Sequence, residues 1–304
     1  MWIIELIVVL LFIFLGARLG SIGIGFAGGF GVLVLALVFG LEPGSIPIDV
    51  ILIIMSVIAA IAAMQVAGGL DYLVQLAEKI LRSNPKYITF LGPLVTYSMT
   101  IFAGTGLTAF STLPVIAEVA KREGIRPSRP LSIATVASQI AITASPISAA
   151  VVFFAGALEP IGVGYLELLA IVIPTTFVAV MLTAVVTNFL GKELKDDPIY
   201  QDRLARGLVA MPDDRERQQQ ELPPGAKTSV LIFLIAIIAV VCYAMAISST
   251  VGLIEEPVLK RDAAIMTFML AAATAIALFC KIDCNEVLSA ATFKSGMSAC
   301  VCVL

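Results

Sequence analysis

Long apolar runs separated by short polar stretches dominate the chain. They fall near 2–15, 21–41, 49–69, 88–106, 131–157, 165–190, 229–248 and 263–280, and another begins near 296. Most approach the roughly 20 residues that carry a helix across a bilayer core, so the pattern predicts an all-α polytopic membrane protein. The first run, Trp2 to Leu15, has no basic leader and no small-residue cleavage site, and reads as a retained helix. Between 71 and 87, "DYLVQLAEKILRSNPKY" places Leu73, Leu76, Ile80 and Leu81 on one helical face, the pattern of an interfacial helix. The one long polar segment, 191–227, ends in Pro-Pro-Gly-Ala-Lys and reads as a surface linker between a first unit, 1–190, and a second, 228–304.

Two of the runs are interrupted. In 131–157 the stretch "TASPIS" places Pro146 among Thr143, Ser145 and Ser148, with Ser138 nearby. Proline has no N–H, so the carbonyl of Ile142 loses its helical partner. A hydroxyl residue followed by proline is also how helices start, so Ser145 is expected to cap a second half-helix beginning at Pro146. A simple proline kink, with the serines bonded back to their own helix, is the alternative. The other interruption is "FAGTGLTAFSTLP", Phe102 to Pro114. It lies between two basic segments, one with Lys79, Arg82 and Lys86, the other with Lys121, Arg122, Arg126 and Arg129. If basic segments are cytoplasmic, the chain between them enters and returns on the same side. This predicts a re-entrant hairpin over 88–120 with its tip near Gly104–Thr108. A plain span with an outside loop is the alternative, and it leaves four cations outside. The same rule puts all but Lys260 and Arg261 of the 19 basic residues inside, makes the 191–227 linker cytoplasmic and the N-terminus periplasmic, and gives the two units opposite topology. That is the inverted-repeat pattern of secondary transporters.

The candidate site is therefore Gly104, Thr105, Gly106 and Thr108 at the hairpin tip with Thr143, Ala144, Ser145, Pro146 and Ser148 at the break. Ser111 or Thr112 is expected to cap the returning arm. Two positive helix ends and several hydroxyls suit a carboxylate. No Lys or Arg falls at mid-depth in a span, so a dianion calls for an accompanying Na+ or H+, or for more helix ends. Glu118 is read as part of a turn near the surface, with an ion or proton site as the other reading; Glu5 and Asp71 sit near interfaces. The glycine-rich "SIGIGFAGGFG" (21–31) follows no strand and reads as close helix packing, not a nucleotide loop.

Composition narrows the chemistry. The chain is 60% hydrophobic and 13% charged, with a mean hydropathy of +1.04, against about half and a quarter in soluble domains. It has no histidine, which removes histidine metal ligands and proton relays, and no convincing acid pair, so an enzyme is not expected. Cys242, Cys280, Cys284, Cys300 and Cys302 lack metal or redox spacing and read as buried free thiols. No cofactor, metal or nucleic-acid partner is expected; membrane lipids are, and a homo-oligomer is left open.

Several stretches are similar to one family: "IFLGARLGSIGIGFAGG", "DVILIIMSVIAAIAAMQVAGGLDYLV", "NPKYITFLGP", "TIFAGTG", "TLPVIAEVAK", "RPLS", "QIAITASPISAAVV", "GAKTSV" and "TFKSGMSAC". They resemble the anaerobic C4-dicarboxylate transporter (Dcu) family, in its aspartate/fumarate-type branch. The resemblance implies a bacterial inner-membrane carrier that exchanges fumarate, aspartate, malate and succinate. It also implies an ion-transporter-superfamily fold whose paired hairpins and broken helices form the site, here at Gly104–Thr108 and Thr143–Ser148. Where the family commonly has asparagine after "GTG", this chain has Leu107. Members of the family are longer, so the chain resembles a C-terminally truncated product lacking the second hairpin and second broken helix. The alternative function is a non-transporting membrane partner or regulatory subunit.

Overall fold

The computed structural model describes residues 2–303 apart from 21, 45, 159–160, 210–220, 248–252 and 255. Every regular element among them is helical: α1 Trp2–Leu19, α2 Gly23–Phe39, α3 Ile48–Val66, α4 Gly69–Ser83, α5 Ile88–Ala103, α6 Leu113–Arg122, α7 Ser128–Ile140, α8 Ala149–Leu158, α9 Tyr165–Asn188, α10 Pro198–Ala205, α11 Ala226–Ala246, α12 Arg261–Cys280, α13 Cys284–Ser289 and α14 Ala291–Val303. Five of them, α1, α3, α9, α11 and α12, are long and apolar enough to cross a membrane. This is the all-α, polytopic architecture that the apolar runs predict. The last apolar run starts earlier than its hydropathy indicates, at Ala291, because Gln65 at the end of α3 accepts from both the hydroxyl (2.6 Å) and the N–H (3.3 Å) of Thr292 and so satisfies the first turn of α14.

Among the described residues, the two largest of five buried clusters organise the bundle. In one, Ile53, Val57, Ile61 and Met64 of α3 meet Phe233, Ile237 and Val240 of α11 and Ile265, Met269 and Ile276 of α12. In the other, Ala77 and Leu81 of α4 pack with Ile88, Val95 and Met99 of α5, Val115, Ile116 and Val119 of α6, and Ala134 of α7. The amphipathic helix α4 thus turns Ala77 and Leu81 inward, with Leu73 packed against them, while Leu76 and Ile80 stay exposed. The two units are not separate bodies, since α3 of the first packs against α11 and α12 of the second.

Small residues set the closest approaches. A Cβ on Gly296 would lie 2.0 Å from Ile58, and one on Gly25 would lie 2.9 Å from the Val301 carbonyl, so α14 fits tightly against both α3 and α2. Gly16 and Gly31 serve the α1–α2 contact, which Phe12 and Phe30 complete edge to face at 5.5 Å. Gly28 and Gly29 of the same run face open space, so close packing accounts for only part of that glycine cluster. The cysteines are free, and only Cys300 is buried; the expectation of buried thiols fails for Cys242, Cys284 and Cys302, which lie on outward helix faces.

The start of the 191–227 segment is docked. Arg129, buried at the start of α7, donates from Nε to the Leu190 carbonyl (2.5 Å), from Nη2 to the Gly191 carbonyl (2.7 Å) and from Nη1 to Glu193 (2.6 Å). The Leu194 N–H donates to the Gly124 carbonyl (3.1 Å), and Arg126 pairs with Asp197 at 3.2 Å. One guanidinium therefore binds the carbonyls that follow α9 and fixes α9 against α7. Hydrogen bonds to charged groups contribute about 1.5–3 kcal/mol each, so Arg129→Ala is expected to lower the melting temperature in detergent by several degrees. An unchanged melting temperature would contradict the clamp.

Candidate functional site

The site is built from two interruptions that touch each other. Helix α5 ends at Gly104, whose φ of 68° is in the left-handed region and whose N–H closes the helix on the Thr100 carbonyl at 2.8 Å. A side chain there is strained on two counts, since a Cβ would also lie 3.1 Å from Ile147. The chain returns through a 3-10 stretch, Gly106–Thr112, into α6. Arg82, just before α5, forms a two-point pair with Glu118 on α6 (3.1 and 2.7 Å), and Arg122 joins it at 2.9 Å. Both ends of the hairpin therefore lie together, and Glu118 is an ion-pair partner that ties the returning arm to α4.

The second interruption separates α7 from α8. After a 3-10 turn, Ala141–Ala144, Ser145 is extended, and the Ser148 N–H donates to the Ser145 carbonyl at 3.2 Å. This is a β-turn with proline at its second position, where the ring's fixed φ suits it. The break falls where the sequence predicts, but the expected cap does not. Ser148 is the N-cap of α8: its Oγ accepts from the Val151 N–H at 3.2 Å and donates to the Ile142 carbonyl, the group orphaned by Pro146, at 2.6 Å. Ser145 lies too far from α8 to cap it, because the two turn residues intervene. Its hydroxyl instead donates to the Ile101 carbonyl in the last turn of α5, at 2.7 Å. The expected caps of the returning arm fail similarly. Ser111 and Thr112 donate back to the carbonyls of Thr108 (2.8 Å) and Ala109 (2.7 Å), since the 3-10 stretch runs straight into α6.

The tip and the break are in direct contact. Gly104 abuts Ile147, and a Cβ on Gly106 would lie 2.6 Å from Gln139 Nε2 and 3.2 Å from the Ser138 carbonyl. All nine predicted residues therefore belong to one neighbourhood, with two roles. Ala144, Ser145, Pro146, Ser148, Gly106 and Thr108 are buried, and the hydroxyls of Ser145, Ser148 and Thr108 hold backbone carbonyls. Gly104 and Thr105 are part-exposed, and Thr143 is exposed with its hydroxyl donating to the Ile140 carbonyl at 2.7 Å. The start of α8 supplies a helical positive end at the break, equivalent to about half a charge.

The residue pattern missed three participants. Ile147 is buried and plugs the turn into the α3–α11–α12 core. Tyr165, the first residue of α9, donates its hydroxyl to the Pro146 carbonyl. Thr100, buried one turn before the tip, has a hydroxyl with no hydrogen-bond partner among the described residues. No short-range signal marks any of them, since each acts across elements. Two shallow surface cavities lie elsewhere, along Arg126, Ser128, Arg129 and the docked 190–203 segment, where Arg126 and Arg129 are already paired.

The sequence profile of a family described as "Anaerobic c4-dicarboxylate membrane transporter" matches residues 1–304. The chain belongs to this family. It is 67% identical to "C4-dicarboxylate transporter DcuA" of Wolinella succinogenes and 58% identical to the protein of that name from Escherichia coli K12, in each case over 100% of this chain and 70% of the relative. The same-named protein of Helicobacter pylori J99 is 57% identical over 99% of this chain and 67% of its own length. The matches take in nearly all of this chain and about two thirds to seven tenths of each relative's length. No solved structure matches it.

Ser148→Ala removes a cap and leaves the Ile142 carbonyl without its hydroxyl donor. That carbonyl keeps the Ser145 N–H at 3.4 Å, so the change removes one hydrogen bond, about 0.5–1.5 kcal/mol, and a cap, about 1 kcal/mol. The variant is expected to unfold earlier than Ser145→Ala, which loses one bond, in paired thermal melts. The reverse order would show that Ser148 does not hold the break.

Proposed function

We propose that this chain is a secondary carrier that exchanges C4-dicarboxylates, among them fumarate, aspartate, malate and succinate, across a bacterial inner membrane. It is a multi-pass membrane protein and not an enzyme. Its substrate lies at the junction of the hairpin tip and the broken helix, against Gly104, Thr105 and Thr143, with the α8 end supplying partial positive charge. The observation that supports this most is the contact of two backbone interruptions, Gly104 on Ile147, since irregular backbone at membrane depth is tolerated where it is enclosed by protein or lines a cavity. The half charge of one helix end falls short of a dianion's two charges, so coupling to Na+ or H+ is part of the proposal, and the unpartnered Thr100 hydroxyl nearby supports a polar guest beside the tip. The opposite topology of the two units remains the basis for reading them as inverted repeats. The name carried by the relatives favours a carrier over a silent partner subunit.

Purified protein in liposomes loaded with succinate is expected to take up labelled fumarate, with uptake abolished when internal succinate is omitted. Thr143→Ala is expected to raise the half-saturating fumarate concentration by several-fold. Absence of exchange under these conditions would refute the carrier, and a Thr143→Ala protein identical to the parent would refute the site.

Orientation has its own test. The N-terminus is periplasmic and the 191–227 segment cytoplasmic in this proposal, from the distribution of basic residues. A single cysteine at the exposed position Glu221, in a protein with its own cysteines replaced, is expected to resist an impermeant maleimide in intact cells and react after permeabilisation. Labelling of intact cells would invert the topology.

A further inference from the structure

Three consecutive residues of the break are held from three directions. The Ser145 hydroxyl reaches the Ile101 carbonyl of α5, Ile147 sits in the core of α3, α11 and α12, and the Pro146 carbonyl accepts from Tyr165 of α9. Tyr165 is itself 5% exposed and carries the Arg261 guanidinium over its ring, 5.8 Å from the centroid. Arg261 is the first residue of α12, and its Nε donates to Asp262 at 3.0 Å. The chain leading to it is fixed by Tyr243 of α11, whose hydroxyl donates to the Leu259 carbonyl at 3.0 Å. A continuous path therefore runs from the α11–α12 connection, through Arg261 and the Tyr165 ring, to the backbone of the turn.

We propose that Tyr165 is a positioning residue of the dicarboxylate site and that Arg261 acts on the site through it, coupling the α11–α12 connection to the broken helix. The reasoning is electrostatic and steric. A cation over the ring face is attracted to the π system and draws density from the phenol, which makes the hydroxyl a better donor to the Pro146 carbonyl. With that carbonyl pinned, the 145–148 turn and the start of α8 keep one orientation, and the ligand-facing end of the half-helix is preorganised. Without the pin, the carbonyl seeks another donor and the turn rotates. Arg261, ion-paired with Asp262 at 3.0 Å, reaches the ring from a helix the apolar pattern assigns to the second unit. Neither residue needs to touch the substrate.

The inference rests on the break being the substrate site, and the test separates the two. Fumarate binding is measured calorimetrically on the folded, monodisperse fraction of each full-chain variant. Tyr165→Phe keeps the ring and loses the donor, and is expected to raise Kd about tenfold, the factor that corresponds to about 1.4 kcal/mol. Arg261→Gln is expected to raise Kd by a smaller factor, and Arg261→Lys to restore part of it. The decisive measurement is the double variant. If Arg261 acts through the hydroxyl, Arg261→Gln adds nothing in the Tyr165→Phe background. Equal effects of Arg261→Gln in both backgrounds would mean that the arginine binds the ligand directly, and would overturn the inference. An unchanged Kd in Tyr165→Phe would also overturn it: alone if Thr143→Ala still weakens binding, and together with the site reading if it does not. The Arg261 variants keep the question answerable should the tyrosine variant fail to fold.

Discussion

A proline in the middle of an apolar helix leaves one carbonyl without a partner, and at membrane depth there is no water to supply one. Much of the architecture around residue 146 answers that single constraint. The Ile142 carbonyl is taken by Ser148, which simultaneously caps the helix that resumes three residues later. The turn that separates the two halves leaves a further buried carbonyl without a helical partner, at Pro146, which Tyr165 takes. Ser145, freed from capping, reaches the end of the hairpin arm. Each hydroxyl in "TASPIS" that is buried is committed to backbone, so the polar residues that look like ligand contacts are mainly the means by which the break exists at all.

The same economy applies at the hairpin. Its tip can lie against the break because glycine stands at 104, where φ is positive, and at 106, where Gln139 and Ser138 leave no room for a Cβ. Its ends are held together by Arg82, Glu118 and Arg122, and the loop that follows is held by Arg126 and Arg129 against the segment after α9. A mobile-looking insertion is thus tied down at its ends by ion pairs and at its tip by close packing, which leaves Gly104 and Thr105 part-exposed and Thr143 exposed on a tied-down frame.

Much of this was legible in the sequence. The apolar runs give the helices, the paired basic segments give the hairpin, and Pro146 gives the break, because each depends on local composition or on a missing N–H. What was not legible depends on distance through space. Ser145 and Ser148 are equivalent as letters; only the two-residue turn between Pro146 and α8 decides that the second is the cap. Glu118 reads as a surface residue until Arg82, 36 positions earlier, is seen beside it. The polar 191–227 run reads as a tether, since nothing local says that Arg129 has its carbonyls as partners. Tyr165 and Arg261 open two separate spans and show no pattern that joins them.

The central claim is that the hairpin tip and the broken helix together form the dicarboxylate site. Substrate protection tests it most directly. Single cysteines at Thr105, at Thr143 and, as a control, at Glu221 are placed in a cysteine-free protein in liposomes, and the rate of maleimide labelling is followed with and without saturating fumarate. Slower labelling at both Thr105 and Thr143, with Glu221 unaffected, is the expected result. Labelling rates at Thr105 and Thr143 that do not respond to fumarate, in protein that still exchanges it, would contradict the account.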